Sequence, residues 1–274
     1  PARKLTVVGI TGTDGKTTTV MMTAHILHDA DIAVGAVSTS FFSVRGKIEE
    51  NPTHKTSMSP FILQHFLRRC VNEGCTHAVV EISSHGLVQH RNDFLWPAVA
   101  AITNTSPEHL DYHKTMEQYR KDKGILFAML KGKGTKVLNT DDETFALYEA
   151  IPSERSIMYS TLGDLKNIET TTLSTNATAS VDGQSVALRL PIPGTFNLYN
   201  ALCALSCTTA VSIPAQKGTD ALATFTGVPG RMERIDEGQP FSVYVDFTVS
   251  PAAYEKTLDA IRATLSPDKR LLVL

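Results

Sequence analysis

No stretch of this chain approaches the ~20 consecutive apolar residues that a membrane-crossing helix needs, and no signal-peptide pattern is visible. Cysteine is scarce as well. Cys70, Cys75, Cys203 and Cys207 show neither C-x-x-C spacing nor a framework, so reduced, partly buried thiols in a cytoplasmic protein are expected. An excess of charge of either sign is also missing. A net charge of −2 over 274 residues gives no reason to expect nucleic acid or an anionic membrane as a partner. Internal repeats and low-complexity tracts are absent. What remains is ample apolar material, 42% of the residues, in a length that suits one large α/β domain with or without a smaller piece.

Apolar runs rich in β-branched residues alternate with helical patterns, which predicts a largely parallel sheet with crossover helices. Strands are predicted near 5–10, 33–38, 77–82, 98–103, 135–139 and 156–159. Helices are predicted over 16–30, 60–73, 115–131, 142–150, 197–211 and 215–226. Segment 166–190 alternates like antiparallel hairpins, with Asp182-Gly183 as a turn. The expected class is therefore α/β: a mostly parallel sheet flanked by helices, with a small antiparallel β portion near 166–190. Gly227-Val-Pro-Gly230 reads as a loop. A strand–helix–strand unit (241–247, 251–265, 270–274) then looks like the start of a second domain, so the chain divides at about 1–238 and 239–274. A buried strand as the last run, Arg270 to Leu274, reads as a truncated sequence.

The most informative run is Val7-Val8-Gly9-Ile10-Thr11-Gly12-Thr13-Asp14-Gly15-Lys16-Thr17-Thr18. It reads as a buried strand, a glycine turn and the first turn of a helix. Gly12 and Gly15 let the backbone bend tightly and turn successive N–H groups toward one point. The helix N-terminus adds partial positive charge, so the pocket suits a phosphate chain. Lys16 would reach the β- and γ-phosphates, and the Thr17 hydroxyl would hold Mg²⁺. The strict pattern G-x-x-x-x-G-K-[ST] would place glycine where Ile10 stands. The plain alternative is an ordinary strand-to-helix turn with a surface lysine. The even spacing of Gly9, Gly12 and Gly15 does not make the G-x-G-x-x-G of a dinucleotide fold.

Ligands in such sheets sit beyond the carboxyl ends of the strands. Two further strands end in suggestive chemistry: His77-Ala-Val-Val-Glu81-Ile-Ser83-Ser84-His85-Gly86-Leu87, and Ala101-Ile-Thr-Asn104-Thr-Ser-Pro-Glu108-His109-Leu-Asp111-Tyr-His113. Together with the glycine loop these offer oxygen and nitrogen ligands for a metal bridging to phosphates. His109 and His113, four apart, would share one helix face as ligands. Singly, each residue is weak evidence: a carboxylate near a strand end is commonly a cap or ion-pair partner. Arg120, Lys121 and Lys123 taken alone are a solvated basic face.

With those segments in view, the chain resembles the Mur ligase family, most closely the MurE type. Gly12 to Thr18, Glu81 to Arg91, Asn104 to His113, Gly194-Thr-Phe-Asn197-Leu-Tyr-Asn200 and Gly230-Arg231-Met-Glu-Arg carry the likeness in the family's order. The resemblance implies an ATP-dependent ligase that adds the third amino acid, lysine or diaminopimelate, to UDP-N-acetylmuramoyl-L-alanyl-D-glutamate through an acyl-phosphate. Gly12, Thr13, Asp14, Gly15, Lys16, Thr17, Thr18 and Asn104 would form the phosphate end of the nucleotide site. Asn197 and Asn200 would contact adenine, and Arg231 and Asp246 the nucleotide near a hinge. Lys16, Glu81, His109 and Lys123 would be the catalytic set. Thr17, Glu81, His109 and Lys123 would serve two Mg²⁺ ions, with Lys123, fourteen residues after His109, carbamylated. Thr56, Ser57, Ser83, Gln89 and Arg91 would hold the muramyl peptide. A monomer is expected.

The chain departs from the family pattern at two motifs. Thr56-Ser57-Met58 stands where Thr-Thr-Pro is usual, and Phe247-Thr-Val249-Ser-Pro251 follows Asp246 where Tyr-Ala-His-Thr/Asn-Pro is usual, so a nucleotide-contacting histidine is replaced by Val249. The uridine-gripping N-terminal domain and most of the C-terminal domain of the family are also not in the chain, so it is expected to bind ATP better than it turns over. Two competing readings are a folylpolyglutamate or cyanophycin synthetase relative, and a nucleotide-binding module without catalysis.

Overall fold

The computed structural model describes residues 1–248, 251–266 and 268–274. In chain order the elements are β1 (Thr6–Thr11), α1 (Lys16–Asp29), β2 (Val34–Val37), β3 (Phe41–Val44), β4 (Lys47–Glu50), α2 (Pro60–Asn72), β5 (His77–Glu81), α3 (Ser84–Val88), β6 (Val99–Ile102), α4 (Leu110–His113), α5 (Met116–Ala128), β7 (Thr135–Asn139), α6 (Phe145–Glu149), β8 (Arg155–Tyr159), β9 (Leu165–Thr170), β10 (Thr175–Val181), β11 (Gln184–Leu190), α7 (Thr195–Ala210), α8 (Ala215–Leu222), β12 (Glu233–Ile235), β13 (Val243–Val245) and α9 (Pro251–Thr264).

Eight strands form one sheet in the order β4-β3-β2-β5-β1-β6-β7-β8. From β2 to β8 every neighbour pair is parallel. Side chains alternate between the two faces, as period-two geometry requires. Val8, Ile10, Val79, Val99 and Ala101 pack with α1, α7, α8 and the inner face of the small sheet. Val7, Ala78, Val80, Ala100 and Ile102 pack on the opposite face with residues of α2 and α5. A parallel sheet covered on both faces explains why its strands read as continuous apolar runs.

The antiparallel portion is a three-stranded sheet, β11-β10-β9, and its Asp182-Gly183 turn has both residues at positive φ (49° and 78°) as the sequence predicts. A second hairpin, β3–β4, escaped the sequence reading. It adds two antiparallel strands to the sheet edge through Arg45-Gly46 (φ 51° and 80°). Every residue of β4, Lys47-Ile-Glu-Glu50, is exposed, which suits a charged edge but masks the strand signal. The strand expected over 270–274 does not form. No described strand pairs with it, and Leu272 and Leu274 lie exposed, so its apolar character finds neither ladder nor core. Val249 lies outside the described residues. The short β12–β13 pair straddles position 238.

The topology creates the site. From β1 the chain crosses by α1 to β2 on one side, whereas from β6 it proceeds to β7 on the other. The carboxyl ends of β1 and β6 therefore flank a switch point, where open α/β sheets bind ligands.

Candidate functional site

Between β1 and α1, Gly12 (φ +148°) and Gly15 (φ +78°) make the bend. A Cβ on Gly12 would lie 1.9 Å from Thr103 Oγ1, and one on Gly15 would lie 2.0 Å from Asn200 Oδ1. Both glycines are thus required by conformation and by close approach. The residues after β6 clamp the loop. Asn104 accepts from the Thr13 amide at 2.8 Å through its carbonyl and from the Asp14 amide at 3.0 Å through Oδ1. The Thr103 hydroxyl and the Asn104 side-chain amide donate to the Asp14 carbonyl at 2.7 and 3.1 Å. From below, Lys123 Nζ donates to the Gly12 carbonyl at 2.7 Å and sits 4.4 Å from the centre of the Tyr119 ring. Lys16 Nζ donates to the Thr13 carbonyl at 2.6 Å.

Glu81, at the end of β5, is 2% exposed. The Thr17 hydroxyl donates to its Oε2 at 3.0 Å, and Thr39 donates to it twice, through N–H at 2.9 Å and hydroxyl at 3.1 Å. Thr39 Oγ1 in turn lies 2.7 Å from Thr56 Oγ1. Three donors thus fix the orientation of one buried carboxylate. Thr39 is a residue that sequence reasoning missed. The signal was present: it lies two positions beyond β2, at the same carboxyl edge as Glu81.

A cavity of about 390 Å³ opens over these groups. Thr13, Asp14, Gly15, Lys16, Thr17 and Thr18 line it. Glu81, Asn104 and His109 also face it, as do Thr56 and Ser83. Asn197, Asn200, Arg231 and Asp246 complete the lining, with Asn200 against Gly15. There the sequence missed Phe196, Tyr199, Met232 and Phe247, an aromatic and apolar lining suited to a flat base. Arg231 donates to the Phe247 carbonyl at 2.8 Å and lies over its ring at 5.1 Å, while the Met232 amide donates to Asp246 Oδ2 at 2.7 Å.

Other expected residues stand apart from the cavity. Ser57 is buried behind Ser83, whose amide donates to Ser57 Oγ at 3.1 Å, and Arg91 donates to the Ser57 carbonyl at 2.9 Å. Gln89 is exposed and donates to Tyr112 OH at 3.2 Å. His109 and His113 do not share a ligand face. His109 precedes α4 in left-handed backbone (φ 56°), whereas His113 is buried with both ring nitrogens taken, by Ser84 Oγ at 3.0 Å and Asp122 Oδ2 at 2.6 Å.

Titrations beside the loop are displaced. Burial pushes the Lys123 ammonium well below its ordinary value, and the Lys16 charge adds to this. Burial lowers His85 too, assisted by His109 and His113. Thr17 and Glu81 offer hard oxygen donors of the kind Mg²⁺ takes. Among the described residues no three His, Cys, Asp or Glu side chains converge on one metal position. An ion here would therefore complete its shell with phosphate oxygens and water.

A glycine loop at a switch point, bordering a cavity lined by a buried carboxylate and aromatic rings, defines a P-loop nucleotide-binding α/β protein. Comparison with known proteins narrows the class. The Mur ligase middle domain matches residues 10–208, and the chain belongs to the Mur ligase family. It is 33% identical over 284 residues to the UDP-N-acetylmuramoyl-L-alanyl-D-glutamate–2,6-diaminopimelate ligase of Chlorobaculum tepidum, covering 99% of this chain and 56% of that one. It is 34% identical over 280 residues to the UDP-N-acetylmuramyl-tripeptide synthetase of a Roseiflexus species, covering 96% and 55%. The chain thus spans about half the length of these relatives. A solved UDP-N-acetylmuramoyl-L-alanyl-D-glutamate–2,6-diaminopimelate ligase superposes with a TM-score of 0.81 at 26% identity, covering 96% of this chain and 55% of that one. The folylpolyglutamate synthase of Mycobacterium tuberculosis, solved with ADP and AMPPCP, shares the fold at a TM-score of 0.78 and 18% identity, covering 97% and 68%. No helix among the described residues is long and apolar enough to cross a membrane.

Proposed function

We propose that the chain is the ATP-binding part of a cytoplasmic, monomeric ligase that joins lysine or diaminopimelate to UDP-N-acetylmuramoyl-L-alanyl-D-glutamate. Residues 1–238 would be the central domain and 239–274 the beginning of the domain that follows. The observation that carries the reading is the convergence on one cavity of the glycine loop, the thrice-bonded Glu81 and the Asn197/Asn200 pair. The names of the relatives supply the substrate class.

In this reaction the terminal D-glutamyl carboxylate attacks the γ-phosphorus of ATP, giving an acyl-phosphate and ADP. The amine of the incoming amino acid then adds to the acyl carbon, loses a proton, and expels phosphate from the tetrahedral intermediate. Each step brings anions together, so positive charge must be fixed where they meet. Lys16 and the loop N–H groups hold the phosphates, and Asn197 and Asn200 hold the base. Thr17, Glu81 and His109 would hold Mg²⁺, which supplies charge neutralisation at the phosphoryl oxygens. Thr56 and Ser83 face the muramyl peptide from the cavity wall, with Ser57, Gln89 and Arg91 supporting that edge. Lys123 is suited to carbamylation because only a neutral amine adds CO₂, and its burial favours the neutral form. The product would be an anionic group beneath the loop.

Phosphate release by the natural full-length protein, measured with ATP, Mg²⁺ and an amino acid, should depend on UDP-N-acetylmuramoyl-L-alanyl-D-glutamate. A protein that binds ATP yet releases no phosphate with that substrate would be a nucleotide-binding module, and the ligase reading would fail.

A further inference from the structure

Beneath the cavity lies a polar chain that the proposed reaction does not use. Ser84, His113 and Asp122 are 2%, 3% and 8% exposed. Ser84 Oγ is 3.0 Å from His113 Nε2, and His113 Nδ1 is 2.6 Å from Asp122 Oδ2. A carboxylate only accepts, so Nδ1 carries a proton, while Nε2 and the serine hydroxyl share the other hydrogen bond. Gln118 Nε2 donates to the other Asp122 oxygen at 2.8 Å, completing its shell. The order Ser–His–Asp is that of a hydrolase triad, but Ser84 does not line the cavity and its hydroxyl is sealed. No substrate atom reaches it.

The position of the three residues tells what they do instead. Ser84 opens α3, three residues after Glu81 and directly after Ser83. Asp122 is on α5 directly before Lys123. Neighbours on a helix project about 100° apart, so Asp122 turns toward His113, which bonds Ser84 of α3, while Lys123 turns toward the glycine loop. We propose that Ser84, His113 and Asp122 are positioning residues: a buried tether that fixes the rotation of α5 against α3, and so holds Lys123 under the Gly12 carbonyl. The proposal rests on the ligase reading for the reaction that it tunes. A lysine nitrogen stands roughly 8 Å from its helix axis, so a rotation of about 10° would move it more than 1 Å, a displacement able to cost about 100-fold in rate. The imidazole, ringed by His85, Tyr112 and Tyr119 at centroid distances of 4.9–5.1 Å, cannot tilt away from its two partners.

The test compares Asp122→Ala, Asp122→Asn, Ser84→Ala and the Ser84→Ala/Asp122→Ala pair in the natural full-length protein. Phosphate release dependent on the muramyl dipeptide is measured well below each melting temperature. In the wild type, proton NMR should find a strongly downfield, exchange-protected imidazole N–H that Asp122→Ala removes. Asp122→Ala should lower kcat at least tenfold with the KM for ATP changed less than twofold, because the nucleotide contacts lie elsewhere. Asp122→Asn keeps an oxygen acceptor for Nδ1–H and should recover most of the rate. The double substitution should be no slower than the worse single one, since either cut severs the same tether. An unchanged kcat in Asp122→Ala and Ser84→Ala, with only the melting temperature lowered, would overturn the positioning role. So would losses that multiply in the double variant. Should Asp122→Ala fail to fold, Ser84→Ala with its hydroxyl alone removed decides. A wild type without dipeptide-dependent release would instead sink the ligase reading, a distinct result.

Discussion

Gly15 and Gly183 have the same backbone, φ +78°, in very different surroundings. A Cβ on Gly183 meets nothing within 4 Å, whereas one on Gly15 would lie 2.0 Å from Asn200 Oδ1 and 3.0 Å from its Cγ. Alanine at either position incurs the left-handed penalty, about 1–2 kcal/mol. Only at Gly15 must a neighbour give way. Asn200 is buried at 6% exposure, donates to Asn197 Oδ1 at 3.3 Å, and sits inside α7, so its displacement adds an overpacking cost of about 1–3 kcal/mol. Gly183→Ala should therefore lose about 1–2 kcal/mol and Gly15→Ala about 2–5 kcal/mol. In a protein of this size 1 kcal/mol corresponds to about 2–4 °C in melting temperature.

The two variants also part in binding. On the proposed reading Asn200 contacts the nucleotide base; moving it would then remove a polar contact worth about 0.5–1.5 kcal/mol, so ATP affinity should fall about three- to tenfold in Gly15→Ala. Gly183→Ala lies in the small sheet and should bind ATP like the wild type. Urea midpoints give the stability difference and titration calorimetry the affinity. Equal stability losses at the two glycines would refute the packing argument, because the backbone term is common to both. Unaltered ATP affinity in Gly15→Ala would refute the placement of Asn200 at the nucleotide.

Three further outcomes are expected. Gly86→Ala would bring a Cβ to 2.2 Å from Ser57 Oγ and 2.7 Å from Asn92 Oδ1, so it should break the Ser57–Ser83 bond and lower stability by about 1–3 kcal/mol in urea unfolding. Lys123, pushed down by burial, binds fewer protons folded than unfolded between its lowered value and the ordinary 10.5. Stability should accordingly rise with pH through that window, and the advantage of Lys123→Met over the wild type, read from melting curves, should shrink as pH increases. Burial raises the Cys70 thiol to about 12 and raises Cys75 and Cys207 as well, so a thiol reagent at pH 8 should label these three only at the rate of unfolding.

Much of this architecture was legible because its signals are local. The loop from Gly12 to Thr18 announces itself by glycine geometry, the sheet strands by unbroken apolar runs, and the β10–β11 hairpin by Asp182-Gly183. What escaped was set by partners distant in sequence. The β3–β4 hairpin turns on Arg45-Gly46, without the Asn or Asp that marks such turns, and its outer strand has no buried face. His113 looked like a metal ligand four residues from His109. Its true neighbours, Ser84 and Asp122, are 29 and 9 residues away, and only the packing of α3 on α5 brings them together.

The site residues divide along the same line. In the parallel register Ile10 stands opposite Glu81, and Val37 opposite Val80, so the carboxyl ends of β1, β5 and β2 finish side by side. Once the loop after β1 is read as a phosphate loop, that register brings the residues just beyond β5 and β2 to the same edge. Glu81 was found in this way, and Thr39 follows from the same rule applied to β2. Phe196, Tyr199 and Phe247 obey no such rule. They come from a helix laid across the sheet and from the segment after β13, where no ladder fixes the register. Phosphate chemistry is therefore readable from strand order, whereas the walls around the base depend on how helices and following segments dock. That asymmetry places Phe247, one of the chain's departures from the family pattern, on a cavity wall where sequence constrains geometry least.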